Sequence, residues 1–127
     1  MSHPPGVVLS GGGANGAYEI GVLKALFRGE SPATGHQPLE PGVIAATSIG
    51  AFNSAVLLST YTDSWSQAIS ALEKVWLERI HLYHPESDFG GALGMLDFQR
   101  ERVTSLIQRG YLDTVGHDCG EAGCIGV

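Results

Sequence analysis

A chain of 127 residues, 43% of them hydrophobic and 16% charged, has the composition of one folded domain rather than of a disordered segment. Seven basic against thirteen acidic residues leave a net charge of −6, which argues against nucleic acid as a partner and against strong electrostatic docking on anionic lipid. The opening residues, MSHPPGVVLS, contain no basic stretch followed by a long apolar run, so no secretory signal is expected and a cytoplasmic or peripheral-membrane location is.

In chain order, GVVLS is a short β-branched run bounded by glycine and reads as a buried strand. Glycines follow, and then AYEIGVLKALFRGE, where Val22, Leu23, Leu26 and Phe27 fall at helical spacing, with Gly29 placed to cap the end. Residues 30 to 41 form a polar, proline-rich loop. GVIAAT is a second short strand, and IGAFNSAVLLST, apolar almost all round, reads as a central buried helix. SWSQAISALEKVWLERI is amphipathic, with Trp65, Ile69, Leu72, Trp76 and Ile80 on one face. After the loop HPESDFGGALGM, Asp97 is placed to cap a helix over FQRERVTSLIQRG that Gly110 would stop. The order strand, helix, strand, then three helices predicts an α/β fold on a mostly parallel sheet.

Two further stretches have bland explanations. Pro41 to Thr62 carries no charge and is long enough to span a bilayer, but its middle, ATSIGAFNS, is small, polar and broken by Gly50, so no transmembrane segment is expected. Cys119 and Cys124, in a glycine-rich tail, read as free thiols. A metal site built with them from His117 and Asp118 has no support elsewhere in the sequence, and no metal is expected.

Two loops carry the chemistry. LSGGGANG contains Gly11, Gly13 and Gly16 at dinucleotide-loop spacing, between a strand and a helix. A Rossmann reading would need an acidic residue about 20 positions on, at the end of a second strand. Glu30 and Glu40 bracket that distance but lie in or beside the proline-rich loop. A Walker loop is excluded because no Gly-Lys-Ser/Thr follows. A plain tight turn is the third possibility. In the second loop, Ala46-Thr47-Ser48-Ile49-Gly50, the serine stands between strand and helix with small residues two positions away on each side. That is the pattern of a nucleophile elbow, G-x-S-x-G, with Ala46 in place of the first glycine. The alternative is a serine that merely caps a helix.

Taken together, the loops resemble the patatin-like phospholipase family, which carries G-G-G-x-[K/R]-G after its first strand and G-x-S-x-G after a later one. The matching residues are Gly11, Gly12, Gly13, Ala14, Asn15 and Gly16, then Ala46, Thr47, Ser48, Ile49 and Gly50. Asn15 stands where the family has a basic residue. The likeness is clear from Val7 to Leu58. It implies a three-layer α/β/α fold of which residues 1–127 are the N-terminal portion of a single domain, with an incomplete sheet. It also implies hydrolysis of a lipid acyl ester, at a membrane surface where the substrate resides there, without a cofactor. Ser48 would be the nucleophile. The oxyanion hole would come from Gly11, Gly12, Gly13, Ala14 and Gly16, joined by the amide of Ile49.

The family pairs its serine with an aspartate in a D-G-[G/A] motif. Asp63, Asp88, Asp97, Asp113 and Asp118 are followed by Ser64, Phe89, Phe98, Thr114 and Cys119, so none matches. His36, His81, His84 and His117 are bases only by residue type. A hydrolase portion, a non-catalytic or regulatory fragment, and a dinucleotide-binding module therefore remain open.

Overall fold

The computed structural model describes residues 3–78 and 98–118. Its elements are β1 (Gly6–Leu9), α1 (Gly16–Phe27), β2 (Val43–Ala46), α2 (Ile49–Thr60), α3 (Trp65–Glu78) and α4 (Arg100–Val115), with single 3₁₀ turns at Gly13–Asn15 and Pro32–Thr34. This is the expected order, and the two strands pair in parallel, Gly6 opposite Val43 through Leu9 opposite Ala46. Because the strands are parallel, both of their C-terminal ends lie on one edge of the sheet. The glycine loop and the Ser48 turn therefore leave side by side, at the edge where ligands bind in open α/β sheets.

Alternation along β1 decides which face is covered. Val7 and Leu9 are buried against the helices, while Val8 is 81% exposed. On β2, Ile44 and Ala46 pack on the core and Val43 is 61% exposed. β1 is thus half-buried rather than wholly buried, since among the described residues helices cover one sheet face only.

α1 is the central helix. Ile20, Leu23 and Phe27 sit in the core with Leu57 of α2, Ile69, Leu72 and Trp76 of α3, and Val103 and Ile107 of α4. Its end follows the expected glycine stop. Gly29 takes φ +68°, its amide donates to the Leu26 carbonyl, and the Glu30 amide donates to the Ala25 carbonyl, which is a Schellman closure. Lys24 donates to both carboxylate oxygens of Glu73 at 3.0 and 2.9 Å and ties α1 to α3.

Two expectations need correction. α4 does not stop at Gly110 but continues to Val115. A β-carbon on Gly110 would stand 2.1 Å from the Tyr18 carbonyl oxygen, and one on Gly21 would stand 1.9 Å from the Ile107 carbonyl oxygen. Gly110 is a contact glycine that lets α4 lie directly on the backbone of α1. α2 is not buried all round either. Its inner face is Gly50, Asn53, Ser54 and Leu57, while Phe52 and Leu58 are exposed. The buried face is the more polar one because Asn53 finds partners there, as described below. Gln99 occupies the N-cap of α4. The roles expected for Asp97, Ile80, Cys119 and Cys124 lie outside the described residues.

Candidate active site

β2 ends at Ala46, and the Thr47 amide donates to the Leu9 carbonyl at 3.1 Å, which holds the two strand ends together. The chain then turns sharply into α2. Ser48 takes φ +51° and ψ −122°, a region that costs a residue with a side chain about 1–3 kcal/mol and persists only where the surroundings enforce it. Of the described non-glycine residues, only His36 also has positive φ. The Ser48 side chain makes no capping hydrogen bond, so it is not acting as an ordinary N-cap serine.

Gly50 explains how so tight a turn fits. A β-carbon there would stand 2.6 Å from the Leu9 carbonyl oxygen and 2.8 Å from that of Ser10. Only a residue without a side chain lets the first turn of α2 rest on the end of β1. Ala46 meets no such obstacle. Its methyl is partly buried and packs on the core, which is why alanine serves where the motif usually has glycine.

The glycine loop lies against this turn. A β-carbon on Gly11 would be 3.1 Å from Ser48 Cβ and 3.8 Å from its Oγ, so the serine side chain is in van der Waals range of the start of the loop. Gly12 and Gly13 have φ of +155° and +57°, conformations that favour glycine. The 3₁₀ turn is closed by the Asn15 amide on the Gly12 carbonyl. Among the described residues, the amides of Gly12, Gly13, Ala14 and Ile49 make no hydrogen bond to a backbone acceptor. Gly16 is pressed against α2, where a β-carbon would meet Ile49 at 2.8 Å. Ala14 is fully buried beneath the loop. Asn15 faces a groove of about 340 Å³ that it shares with Ser10, Gly11, Tyr18 and Arg109.

Among the described residues, no acid or histidine is hydrogen-bonded to the Ser48 side chain, and the candidates by residue type have these surroundings. Asp63 follows the far end of α2, about 18 Å along the helix axis from Ser48 at 1.5 Å per residue. Asp113 accepts a hydrogen bond from Tyr18 Oη at 3.0 Å and lies 3.7 Å from Arg109 Nε. Burial first, and then the Asp113 carboxylate, push the Tyr18 phenol above its ordinary value. Tyr111, whose hydroxyl donates to Glu30, is raised mainly by that hydrogen bond. His36 is exposed in the loop before β2. His81, His84, Asp88 and Asp97 are outside the described residues.

Glu19, Asn53 and Trp76 were not singled out in the sequence as site residues, yet they brace it. Glu19 Oε1 accepts from the Ser10 amide at 2.7 Å and from Ser10 Oγ at 3.2 Å. Glu19 Oε2 accepts from Asn53 Nδ2 at 3.2 Å, and the same amide group donates to the Gly16 carbonyl at 3.1 Å. Asn53 Oδ1 accepts from Trp76 Nε1 at 2.9 Å. The available signal was Asn53, the one carboxamide in a mostly apolar helix, since a buried amide requires partners.

A parallel two-stranded sheet carrying helices, with a strained serine facing a glycine loop at one edge, makes this an α/β fold. The family model for patatin-like phospholipase matches residues 7–115, and the chain belongs to that family of lipid acyl hydrolases. No curated protein and no solved structure matches the chain. Among the described residues, no helix is long and apolar enough to cross a membrane.

Proposed function

We propose that this chain carries the nucleophile and oxyanion loop of a serine acyl hydrolase acting on lipid acyl esters. The supporting observation is the strained backbone of Ser48, with its side chain uncapped and against Gly11. In this reading, Ser48 Oγ attacks the ester carbonyl carbon while its proton passes to a base. The carbonyl oxygen becomes an oxyanion facing the amides of Gly12, Gly13 and Ala14, with Ile49 at the positive end of α2. The C–O bond then breaks, the alcohol leaves with a proton, and water releases the acyl group from Ser48. Loss of one amide donor of this kind typically costs about 100- to 1,000-fold in rate.

A second reading, a non-catalytic fragment, is favoured by one observation: none of the five aspartates is followed by Gly-[Gly/Ala]. Accordingly, residues 1–127 alone should turn over a p-nitrophenyl ester no faster than a Ser48→Ala control, while a fluorophosphonate probe, which reacts once, expels fluoride and lets the serine proton pass to solvent over a long incubation, should phosphonylate Ser48. Probe on another residue, or labelling unchanged in Ser48→Ala, would refute the assignment of Ser48. Titration with NAD(P) tests the dinucleotide alternative, and saturable binding at the Gly11–Gly16 loop would favour it.

A further inference from the structure

Two surfaces must keep a fixed spacing for this site to work: the Ser10–Asn15 loop and the first turns of α2. On one side, Gly16 lies in contact with Ile49, which sets how closely they approach. On the other, a single carboxylate reaches both. Glu19, in the first turn of α1, takes the Ser10 amide and hydroxyl on one oxygen and the Asn53 amide group on the other. Asn53 is fully buried, five residues after Ser48, and both its N–H groups and its oxygen are engaged, three of its four hydrogen-bonding positions. Its two N–H groups go to Gly16 and Glu19, and its oxygen receives Trp76 Nε1–H.

The donor and acceptor directions along this chain are fixed. Ser10 and Asn53 both donate towards residue 19, so the group between them must accept on both sides. A carboxylate does so, whereas a carboxamide of the same shape has one accepting oxygen and one donating nitrogen. Turned to serve Ser10, a glutamine at 19 would oppose its NH₂ to that of Asn53. Asn53 could answer only by inverting, which would strip Gly16 of its donor and set the Asn53 NH₂ against the Trp76 N–H. Turned the other way, the glutamine would leave the Ser10 amide without its acceptor.

We propose that Glu19 is a positioning residue, the acceptor-only clamp that holds the glycine loop in register with the Ser48 turn. This rests on the reading of Ser48 and the loop given above. Glu19 does not touch the reacting atoms. It acts through Ser10, the residue entering the loop, and through Asn53, on the helix that Ser48 begins.

The first test needs no variant. Ser10 is exposed, so slow exchange of its amide must come from Glu19 rather than from burial. In the unmodified chain the Ser10 amide should exchange at least about tenfold more slowly than those of Gly11 and Gly12, and equal rates would overturn the proposal. The second test is Glu19→Gln, which is isosteric. Either Ser10 protection is lost or the Trp76 indole N–H resonance, distinguished from that of Trp65, shifts. Phosphonylation of Ser48 by the fluorophosphonate probe should slow on the order of 10- to 100-fold, the sensitivity expected of displacements below about 1 Å. If neither probe moves, or if they move while labelling keeps its rate, the clamp has no positioning role. If labelling does not depend on Ser48, the functional reading fails separately, as Ser48→Ala would reveal while the Ser10 and Trp76 signals still report the clamp.

Discussion

Replacing Gly50 with alanine sets two effects of opposite sign against each other. In a helix interior, alanine is favoured over glycine by about 1 kcal/mol, so propensity alone predicts a more stable protein. The structure predicts the reverse. The new β-carbon would stand 2.6 Å from the Leu9 carbonyl oxygen, where ordinary contact begins at 3.4 Å, and 2.8 Å from both the Leu9 carbonyl carbon and the Ser10 oxygen. All three are backbone atoms, so no side chain can rotate away. Relief requires moving the start of α2 off β1 by a large part of an ångström. Overpacking of this kind costs about 1–3 kcal/mol, occasionally more, and the rigid neighbours place this site at the upper end. After the gain in propensity, the net loss is about 1–2 kcal/mol, or roughly 3–10 °C in Tm for a domain of this size. The same movement carries Ser48 away from the glycine loop, so fluorophosphonate labelling should fall about 100-fold. Thermal unfolding followed by circular dichroism and a labelling time course measure the two effects. A Gly50→Ala protein that melts at or above the parent temperature and labels at the parent rate would refute the packing argument for the elbow.

Other consequences follow from the same geometry. Ser48→Gly should relieve the positive-φ strain and raise stability by about 1 kcal/mol in chemical denaturation while abolishing labelling; a loss of stability would mean that the turn is not strained. Gly110→Ala should cost about 1–3 kcal/mol because its β-carbon would meet the Tyr18 carbonyl at 2.1 Å, and an unchanged denaturation midpoint would show that α4 does not rest on the backbone of α1. The Tyr18 phenol is raised above 10.0 by burial and Asp113, so its contribution to stability is complete below about pH 10 and is lost as pH climbs through its folded value. Titration of phenolate absorbance should therefore show a late component that Tyr18→Phe reduces, leaving the share of Tyr111, with a smaller alkaline loss of stability in that variant.

The strands, α1 and both loops were legible because local rules fix them. Short β-branched runs bounded by glycine make strands. Gly29 closes α1 with a motif that depends on neighbouring residues alone. Gly50 and the small residue at 46 announce a turn that admits nothing larger. What failed to show was tertiary. Gly110 looks the same in sequence whether it ends a helix or lies against one, and only Gly21 and the Tyr18 carbonyl on the facing helix decide between the two. α2 is apolar almost all round, so its periodicity assigned no face, and the buried side was chosen by the partners of Asn53. The covering of the sheet was equally hidden. GVVLS reads as a buried run, yet exposed Val8 shows that burial depends on a layer that its own residues do not encode.

The claim at the centre of this account is that the glycine amides and Ile49 face the oxygen that becomes charged when Ser48 is acylated. Phosphonylation of Ser48 expels fluoride and leaves a stable tetrahedral phosphonate ester whose polarised phosphoryl oxygen takes that position, and a ¹H–¹⁵N spectrum of the ¹⁵N-labelled adduct reads the amides one by one. The amide protons of Gly12, Gly13 and Ile49 should move downfield as they donate hydrogen bonds to the phosphoryl oxygen, while those of Gly29 and Gly35, away from the site, stay in place. An adduct on Ser48 that leaves the Gly12, Gly13 and Ile49 signals where they are in the free protein would contradict the account.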